Sequence, residues 1–375
     1  MKTKTIDAVI AGLTCLDFTP VFGNPPVEKV EDILAPTKTV IIGKAQMHAG
    51  GCVANTGLAM CKFGVNAALI GKIGKDAFGS TVLSEFQQYT SGEHMIFTEE
   101  GTAYTVVLAP KGIDRICLHY PAGNDSFCFD DIDYDLLEKS KLFHFGYPTI
   151  MKNFYQNNAR ELIRMYQKIK TLNVSTSMDT CAIDPYSEVG RMDWKSVLEE
   201  LMPYLDIFTP SAEEICYMLD RERFESWKQR AGNAEICSLL CEEDLRPLAD
   251  TLLSFGAKIL MIKCGPKGIY FASAPKERMK DAGSDLASSF LDWADIRRFE
   301  PSFKPERILS SIGAGDVCIA AFLTSILKKL SLDEALSYAA AAGAACVESY
   351  DVLSRLSSLE ALKDRILSGW ERNPL

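Results

Sequence analysis

The sequence predicts an α/β protein whose central sheet is mostly parallel and is covered by helices on both faces. From about residue 141 onward, short apolar strands alternate with helical segments, which is the pattern of a parallel sheet with crossover helices. The segments 18–47 and 102–120 break this rhythm and contain a hairpin pattern. They predict a small second sheet that projects from the main body.

The predicted strands before residue 141 are short runs of apolar and β-branched residues. They lie at 6–13, 38–42, 67–71, 104–108 and 115–119. The last two flank a turn at 110–112, and another turn-forming segment lies at 23–26. Helices are predicted to begin at Gly50-Gly51 and at 75–79.

The predicted strands after residue 141 lie at 142–145, 173–178, 207–209, 258–262 and 269–271. Helices are predicted at 153–170, 194–202, from 212, from 317 and at 332–347. The segment 272–305 is polar, contains several Ser and Pro residues and lacks a clear period. We therefore predict an irregular insertion there.

Composition narrows the class of protein. A chain of 375 residues with 47% hydrophobic and 24% charged residues can bury a large core. The net charge of −10 argues against nucleic acid or an anionic membrane as the main partner. The chain contains 12 cysteines without a C-x-x-C pair, and its four histidines lack zinc-like spacing. No signal peptide or membrane-length apolar run is apparent, so we expect a cytoplasmic protein with reduced thiols.

A glycine-rich stretch, Ser310-Ser311-Ile312-Gly313-Ala314-Gly315-Asp316, precedes an apolar helix. Glycines at a helix N-terminus let an anionic oxygen approach backbone N–H groups that have no partner inside the helix. Beside such a cradle, Asp316 is suited to take a proton from a hydroxyl that attacks a phosphate. The alternative is that Asp316 only offsets the helix dipole.

Asp17 follows the first strand, and ligands of open α/β sheets collect beyond the carboxyl ends of strands. Asp17 is therefore either a ligand residue or an ordinary turn aspartate. No G-x-x-x-x-G-K-[ST] motif is present, which argues against a P-loop protein, and no G-x-G-x-x-G follows the first strand.

Three separated motifs together resemble the ribokinase-like (PfkB) carbohydrate kinases in order and approximate spacing. They are Gly50-Gly51 with Asn55, Lys263-x-Gly265-x-x-Gly268, and Gly313-Ala314-Gly315-Asp316. Between the first two, Lys75-Asp76-Ala77-Phe78-Gly79 is similar to a Gly-x-Asp-x-Phe-Gly segment of that family. The resemblance covers nearly the whole chain.

The resemblance implies a three-layer α/β/α domain over residues 1–375, with lid segments at about 18–47 and 101–121. It implies transfer of the γ-phosphate of ATP, with Mg²⁺, to a hydroxyl of a sugar. Asp316 would be the general base, and Gly313, Ala314 and Gly315 would form the anion hole. The substrate-binding residues implied are Asp17, Gly50, Gly51 and Asn55, the nucleotide-binding residues are Lys263, Gly265 and Gly268, and Glu214 would hold the metal through water.

Three positions depart from the family pattern. Ser211 replaces an asparagine in the segment that ends at Glu214, and Ser211-x-x-Glu214 is also a helix capping box. Ser310 stands where many relatives have an aspartate beside a monovalent-cation loop. The strand end at Gly146-Tyr147 lacks the carboxylate that ribokinases use on the sugar, so we do not expect ribose to be the best substrate.

Two other functions remain open on the sequence. One is a nucleoside kinase of the same fold, and the other is a catalytically silent regulator that binds a sugar or nucleotide. Asp316 argues against the silent regulator, whereas Ser211 and Ser310 keep it open. A homodimer paired through the lid is a further expectation from the resemblance.

Overall fold

The computed structural model describes residues 4–23, 26–110, 112 and 115–375, except the side chains of residues 284 and 285. The predicted turns at 23–26 and 110–112 fall partly outside these residues. The described strands are β1 (Ile6–Gly12), β2 (Cys15–Thr19), β3 (Gln46–Gly50), β4 (Ala67–Ile70), β5 (Lys72–Gly74), β6 (Ile96–Thr98), β7 (Tyr104–Leu108), β8 (Ile116–Tyr120), β9 (Ser140–Gly146), β10 (Ser175–Asp179), β11 (Ile207–Phe208), β12 (Ile259–Lys263), β13 (Gly268–Ser273) and β14 (Arg297–Pro301).

The described α-helices include several of only one turn, and the longest surround the central sheet. They are α1 (Ala59–Lys62), α2 (Ala77–Phe86), α3 (Tyr134–Leu137), α4 (Lys152–Lys170), α5 (Trp194–Leu201), α6 (Ala212–Leu219), α7 (Arg221–Ala231), α8 (Glu242–Phe255), α9 (Lys276–Met279), α10 (Ser284–Leu291), α11 (Ala314–Leu327), α12 (Leu332–Cys346) and α13 (Leu359–Leu367). A turn of π-helix, Val53–Leu58, leads directly into α1. Most predicted helices are thereby confirmed in type and place.

The central sheet has eight strands in the order β14-β13-β12-β11-β10-β9-β1-β4. The strands from β12 to β4 pair in parallel, and the pairs β12–β13 and β13–β14 are antiparallel. In β1, Ala8, Val9, Ile10 and Ala11 are fully buried, as expected for a strand with both faces covered. The predicted mostly parallel α/β sheet is confirmed.

The lid is a four-stranded sheet in the order β3-β2-β7-β8. The predicted hairpin is present as the antiparallel pair β7–β8, but β2 and β7 pair in parallel, so the sheet is mixed. The predicted strand at 38–42 is wrong: those residues form no regular structure, and Ile41 is 87% exposed. The strand lies at 46–50 instead: β3 pairs antiparallel with β2, with Asp17 opposite His48. β-Branched composition alone predicted the wrong segment, because a strand also needs a partner strand.

The prediction that 272–305 is irregular is also wrong. Its residues complete β13 and form α9, α10 and β14. Phe290 and Trp293 pack in the core, and Trp293 contacts the rings of Phe271 and Phe322. Long-range pairing of β14 with β13 and this aromatic packing order a segment that shows little local periodicity.

Several functional candidates lie where parallel strands end. Gly146 ends β9, Asp179 ends β10 and Lys263 ends β12, and these ends lie at one edge of the sheet because the strands are parallel. The N-terminus of α11, which contains Asp316, lies at this edge. Residues of β2 and β3 line a cavity together with Ile312, close to the start of α11.

Candidate active site

The carboxylate of Asp316 is the centre of a buried hydrogen-bond network. Asp316 lies in the first turn of α11 and is 3% exposed. Its Oδ2 accepts a hydrogen bond from Asn55 Nδ2 at 3.0 Å and another from the Tyr147 hydroxyl at 2.7 Å. Its Oδ1 accepts a hydrogen bond from the Thr56 hydroxyl at 3.3 Å. The network brings α11, β9 and the helix after β3 together on one carboxylate.

Burial and hydrogen bonding act in opposite directions on Asp316. Removal from water disfavours the ionised form and raises the pKa of Asp316. Hydrogen bonds from Tyr147 and Asn55, the charge of Lys263 and the Thr56 hydroxyl oppose that rise. A carboxylate placed this way can accept a proton near neutral pH more readily than an exposed aspartate.

Gly313 and Gly315, which precede Asp316, are glycines for different structural reasons. Gly313 is the N-cap of α11 with φ of +70°, and a Cβ there would lie 2.4 Å from Val352. Gly315 lies against Lys263, whose Cδ and Cε would be 3.4 Å from an added Cβ. The N–H of Ala314 donates a long hydrogen bond of 3.4 Å to the Ser311 carbonyl. The first turn of this helix therefore lies next to the Lys263 side chain, with glycine at the two positions that pack most closely.

Lys263 lies beside this helix start and reaches across the strand ends. Its Nζ is 2.5 Å from Oδ1 of Asp179 and donates to the Thr209 carbonyl at 2.6 Å. Burial acts to lower the pKa of Lys263, but Asp179 and Glu214 hold it above its ordinary value. For Asp179, burial raises the pKa despite the attraction of Lys263. The site therefore contains a positive charge next to the helix N-terminus.

Glu214 lies close to this ion pair and has partners of its own. Its Oε2 accepts hydrogen bonds from the Thr180 hydroxyl at 2.8 Å and from Ser211 N at 2.9 Å. Ser211 Oγ accepts from Glu214 N at 3.2 Å, so the predicted capping box is present. In the part of the chain that the structure describes, no three acidic, His or Cys side chains cluster as a metal site.

Asp17 extends from β2 over Gly50, the last residue of β3. A Cβ on Gly50 would lie 2.3 Å from Oδ2 of Asp17, so only glycine leaves room for this carboxylate. Gly51 has φ of +81° and packs against the Leu13 carbonyl. Burial raises the pKa of Asp17, and its hydrogen bonds with Cys15 and Thr105 oppose that rise. The structure thus brings Asp17, Gly50, Gly51 and Asn55 together.

One row of polar residues crosses the lid sheet. His48, Asp17, Thr105 and His119 are successive cross-strand partners on β3, β2, β7 and β8. Directly paired residues point to the same face of a sheet, so these side chains share a face. The Thr105 hydroxyl and His119 Nδ1 lie 3.0 Å apart, and His119 Nε2 is buried without a hydrogen-bond partner among the described residues.

A cavity separates this lid face from the start of α11. The residues that line it are Asp17, Thr19, His48, Ala49, Ala54, Asn55, Glu85, Ile312, Tyr350, Asp351, Val352 and Leu353. Asn55 belongs both to this lining and to the Asp316 network. Asn55 therefore connects the cavity to the candidate base, which lies behind it.

Gly265 and Gly268 have conformational roles in the turn between β12 and β13. Their φ angles are +52° and +119°, and a Cβ on Gly268 would collide with the Glu300 carbonyl at 2.1 Å. No described hydrogen bond joins this turn to Asp316. Of the three residues predicted to bind the nucleotide, only Lys263 lies near Asp316 and its hydrogen-bond partners.

Thr56, Asp179 and Thr180 were not predicted from the sequence as site residues, and Tyr147 had no predicted role. Asp179 and Thr180 stand at a strand end, which is the signal that singled out Asp17. Thr56 follows Asn55 inside the glycine-initiated helix, so that motif locates it. Tyr147 has φ of +67°, an unusual backbone conformation that the sequence does not reveal.

Comparison with known proteins agrees with the fold and with the family resemblance. The family model described as pfkB family carbohydrate kinase matches residues 18–358. An uncharacterized sugar kinase from Archaeoglobus fulgidus is 24% identical over 297 residues, which cover 78% of this chain and 96% of that protein. A 5-dehydro-2-deoxygluconokinase from Clostridium beijerinckii is 22% identical over 378 residues, covering 97% of this chain and 94% of that protein.

Solved structures show the same fold. The ribokinase of Arabidopsis thaliana, solved with ribose and ATP, superposes with a TM-score of 0.66 at 17% identity. The match covers 96% of this chain and 98% of that one. At this identity the likeness supports the architecture alone.

Proposed function

Because the chain belongs to the pfkB family of carbohydrate kinases, which phosphorylate an alcohol group, we propose that it transfers the γ-phosphate of ATP to a hydroxyl of a sugar or sugar-like substrate. The single observation that best supports this is the position of Asp316. It lies between a polar cavity, through Asn55, and a helix N-terminus beside Lys263. A hydroxyl acceptor and a phosphoryl group therefore have adjacent places around one carboxylate.

In the proposed reaction, the oxygen of a substrate hydroxyl attacks the γ-phosphorus of ATP and the Asp316 carboxylate takes the hydroxyl proton. The bond from that phosphorus to the β-phosphate oxygen breaks, and ADP leaves. Asn55 and Thr56 orient that carboxylate by their hydrogen bonds. The backbone N–H groups at the start of α11, at Ala314 and Gly315, stabilise the negative charge that develops on the transferred phosphoryl. These residues supply positioning, a proton acceptor and charge stabilisation, which are the requirements of phosphoryl transfer.

We place the nucleotide along the turn from Lys263 to Gly268, with its phosphates toward the Lys263 ammonium. Mg²⁺ usually binds one or two carboxylates together with phosphates and several waters. Glu214 is a carboxylate near the Lys263–Asp179 pair, so the donor set fits a metal that reaches the protein through water. When bound, the ion would neutralise charge on the phosphate oxygens.

The test is the Asp316→Asn variant, which keeps the shape but removes the proton acceptor. We expect kcat for ADP release with Mg-ATP to fall by about 10²–10⁴-fold. The wild-type substrate is first found by screening pentoses, hexoses, sugar acids, phosphosugars and nucleosides. Asp364→Asn, an exposed carboxylate on α13, is the matched control and should keep full activity. Wild-type turnover in Asp316→Asn would overturn the assignment of the base, and a wild-type preference for nucleosides would favour a nucleoside kinase.

We further propose a homodimer through the outer face of the lid. Met47, Phe18, Val106 and Leu118 are successive cross-strand partners there. Met47 is 50% exposed and Leu118 is 53% exposed, so the row presents apolar surface to solvent. A second copy of the same lid would cover it.

We also propose that the protein works in the cytoplasm. No disulfide is present among the described residues, which include all twelve cysteines, and this suits a reducing compartment. Among the described residues, no helix is long and apolar enough to cross a membrane.

A further inference from the structure

Three carboxylates line the cavity under the lid. Asp17 comes from the lid, Glu85 from α2 and Asp351 from the loop after α12. Asp316 lies behind Asn55 at the inner end, and its charge is felt at Asp17. Among the described residues that line the cavity there is no lysine or arginine, and His48 is the basic side chain.

These carboxylates retain capacity to accept hydrogen bonds. Glu85 accepts one from the Ala49 N–H at 2.7 Å. Asp351 accepts from Leu353 N at 3.0 Å and Ser354 N at 2.6 Å, both at Oδ1. An ionised carboxylate can accept about four hydrogen bonds. The cavity is therefore rich in acceptors that need donors from a ligand.

The arginine of the lid adds no positive charge to the cavity lining. Arg115, just before β8, donates a hydrogen bond to the Ser311 hydroxyl and is not part of the cavity lining. The ammonium of Lys263 lies on Asp179. Neither cation is among the residues that line the cavity.

We propose that this site selects an uncharged polyhydroxy acceptor, a neutral sugar or polyol, and rejects sugar acids and sugar phosphates. This inference rests on the proposed kinase function. Hydroxyl groups can donate to the carboxylates of Asp17, Glu85 and Asp351 and so satisfy them. A carboxylate or phosphate group on a substrate can only accept hydrogen bonds when ionised, and it meets like charge in a partly buried space. The selection would separate this chain from relatives named for a gluconate derivative.

The experiment compares neutral and anionic acceptors at pH 8 and constant ionic strength with Mg-ATP. The neutral panel is ribose, fructose, glucose, myo-inositol and glycerol. The anionic panel is gluconate, 5-dehydro-2-deoxygluconate, fructose 6-phosphate and ribose 5-phosphate. We expect kcat/KM for the best neutral compound to exceed that for every anion by at least about 100-fold, equal to about 2.7 kcal/mol. An anion that ranks first would overturn the proposal.

Variants test the cause of the selection. Glu85→Gln and Asp351→Asn remove one charge each while keeping the shape, and we expect each to narrow the neutral-to-anion ratio by about 10-fold, chiefly through a lower KM for the anions. Glu200→Gln, an exposed residue of α5, removes the same charge elsewhere and should leave the ratio unchanged. Unchanged ratios in both cavity variants would overturn the electrostatic account.

Calorimetry separates this proposal from the kinase proposal. Each panel compound is titrated into wild-type protein and into Glu85→Gln without nucleotide. Binding of a neutral compound with no phosphorylation of any compound would overturn the kinase activity and support the selection. Binding of only the anions would overturn the selection whatever the catalytic result.

Discussion

The Tyr147 hydroxyl lies 2.7 Å from Oδ2 of Asp316 and donates a hydrogen bond to it. Tyr147 stands at the end of β9 in a left-handed backbone conformation, which aims its side chain across the sheet edge at α11. The position that the family resemblance associates with a sugar-binding carboxylate therefore holds a donor directed at the candidate base. Its hydrogen bond stabilises the ionised form of Asp316 and opposes the rise in pKa that burial causes.

Tyr147→Phe is expected to shift the pH dependence of the reaction. Loss of a hydrogen bond to a charged group costs roughly 1.5–3 kcal/mol, or about 1–2 pKa units, and some of this is recovered by water. The pKa of Asp316 should rise further, so the acidic limb of the kcat/KM profile should move to higher pH by about one unit. Tyr155→Phe on α4 is the control, because Tyr155 is not one of the hydrogen-bond donors to Asp316. An acidic limb that stays in place would show that Tyr147 does not tune the base.

Asp206 is predicted to control stability rather than chemistry. It is fully buried, with Lys258 Nζ at 2.9 Å and Lys170 Nζ at 2.5 Å from Oδ1. Burial acts to raise the pKa of Asp206, but the two lysines hold it below its ordinary value. Asp206→Asn leaves Lys258 buried without its counter-charge, and we expect a loss of about 3–5 kcal/mol in the free energy of unfolding.

The pH dependence gives an independent check on Asp206. A lowered folded-state pKa means that the contribution is complete above the unfolded value of about 3.9 and is lost as pH falls through the folded value. The stability difference between wild type and Asp206→Asn, measured by urea unfolding, should therefore be large at pH 7 and shrink below about pH 4. Glu99→Gln breaks the exposed pair with Lys75 and should change nothing measurable at pH 7. A difference that does not depend on pH would contradict the ion-pair account.

If two copies pair through the outer face of the lid, a charged residue substituted into that face should separate them and halve the measured mass. Wild-type protein should have about twice the chain mass of 41.4 kDa in light scattering. Met47→Lys and Leu118→Lys should each shift it to the single-chain mass, because a buried unpaired charge is costly. Leu367→Lys on α13, a residue 74% exposed, adds the same charge elsewhere and should leave the mass unchanged. A wild-type monomer would refute the dimer.

The parts of the fold that the sequence predicted are those with a local signal. The buried strand β1 and the start of α11 are predicted by patterns of residues that are neighbours in the chain. The lid strand Gln46–Gly50 and the 272–305 segment were missed because distant partners, β2 and β13, order them. In the candidate site, the family motifs predicted Asp316 and Asn55, which are hydrogen-bonded to each other. Tyr147 could not be assigned, since its role depends on a positive φ and on a contact 169 residues away in the chain.

Ser310 leads to the last prediction, that activity depends little on K⁺. Ser310 Oγ accepts a hydrogen bond from Ile312 N at 3.2 Å, so its hydroxyl already orders the loop before α11. A carboxylate elsewhere in the chain could supply the missing charge, and Asp351 after α12 is an example. Its Oδ1 instead caps the amides of Leu353 and Ser354, and the residue lines the acceptor cavity.

A cation held by carbonyl oxygens is attracted strongly by a nearby carboxylate, by about 4 kcal/mol at 4 Å and an effective dielectric constant of 20. A serine hydroxyl has no net charge and gives much less. We therefore expect kcat/KM to change less than about twofold when K⁺ is replaced by tetramethylammonium at fixed ionic strength. Ser310→Asp should restore the charge and make the rate rise with K⁺. A large fall for the wild type on removal of K⁺ would show that the serine has not disabled a cation site.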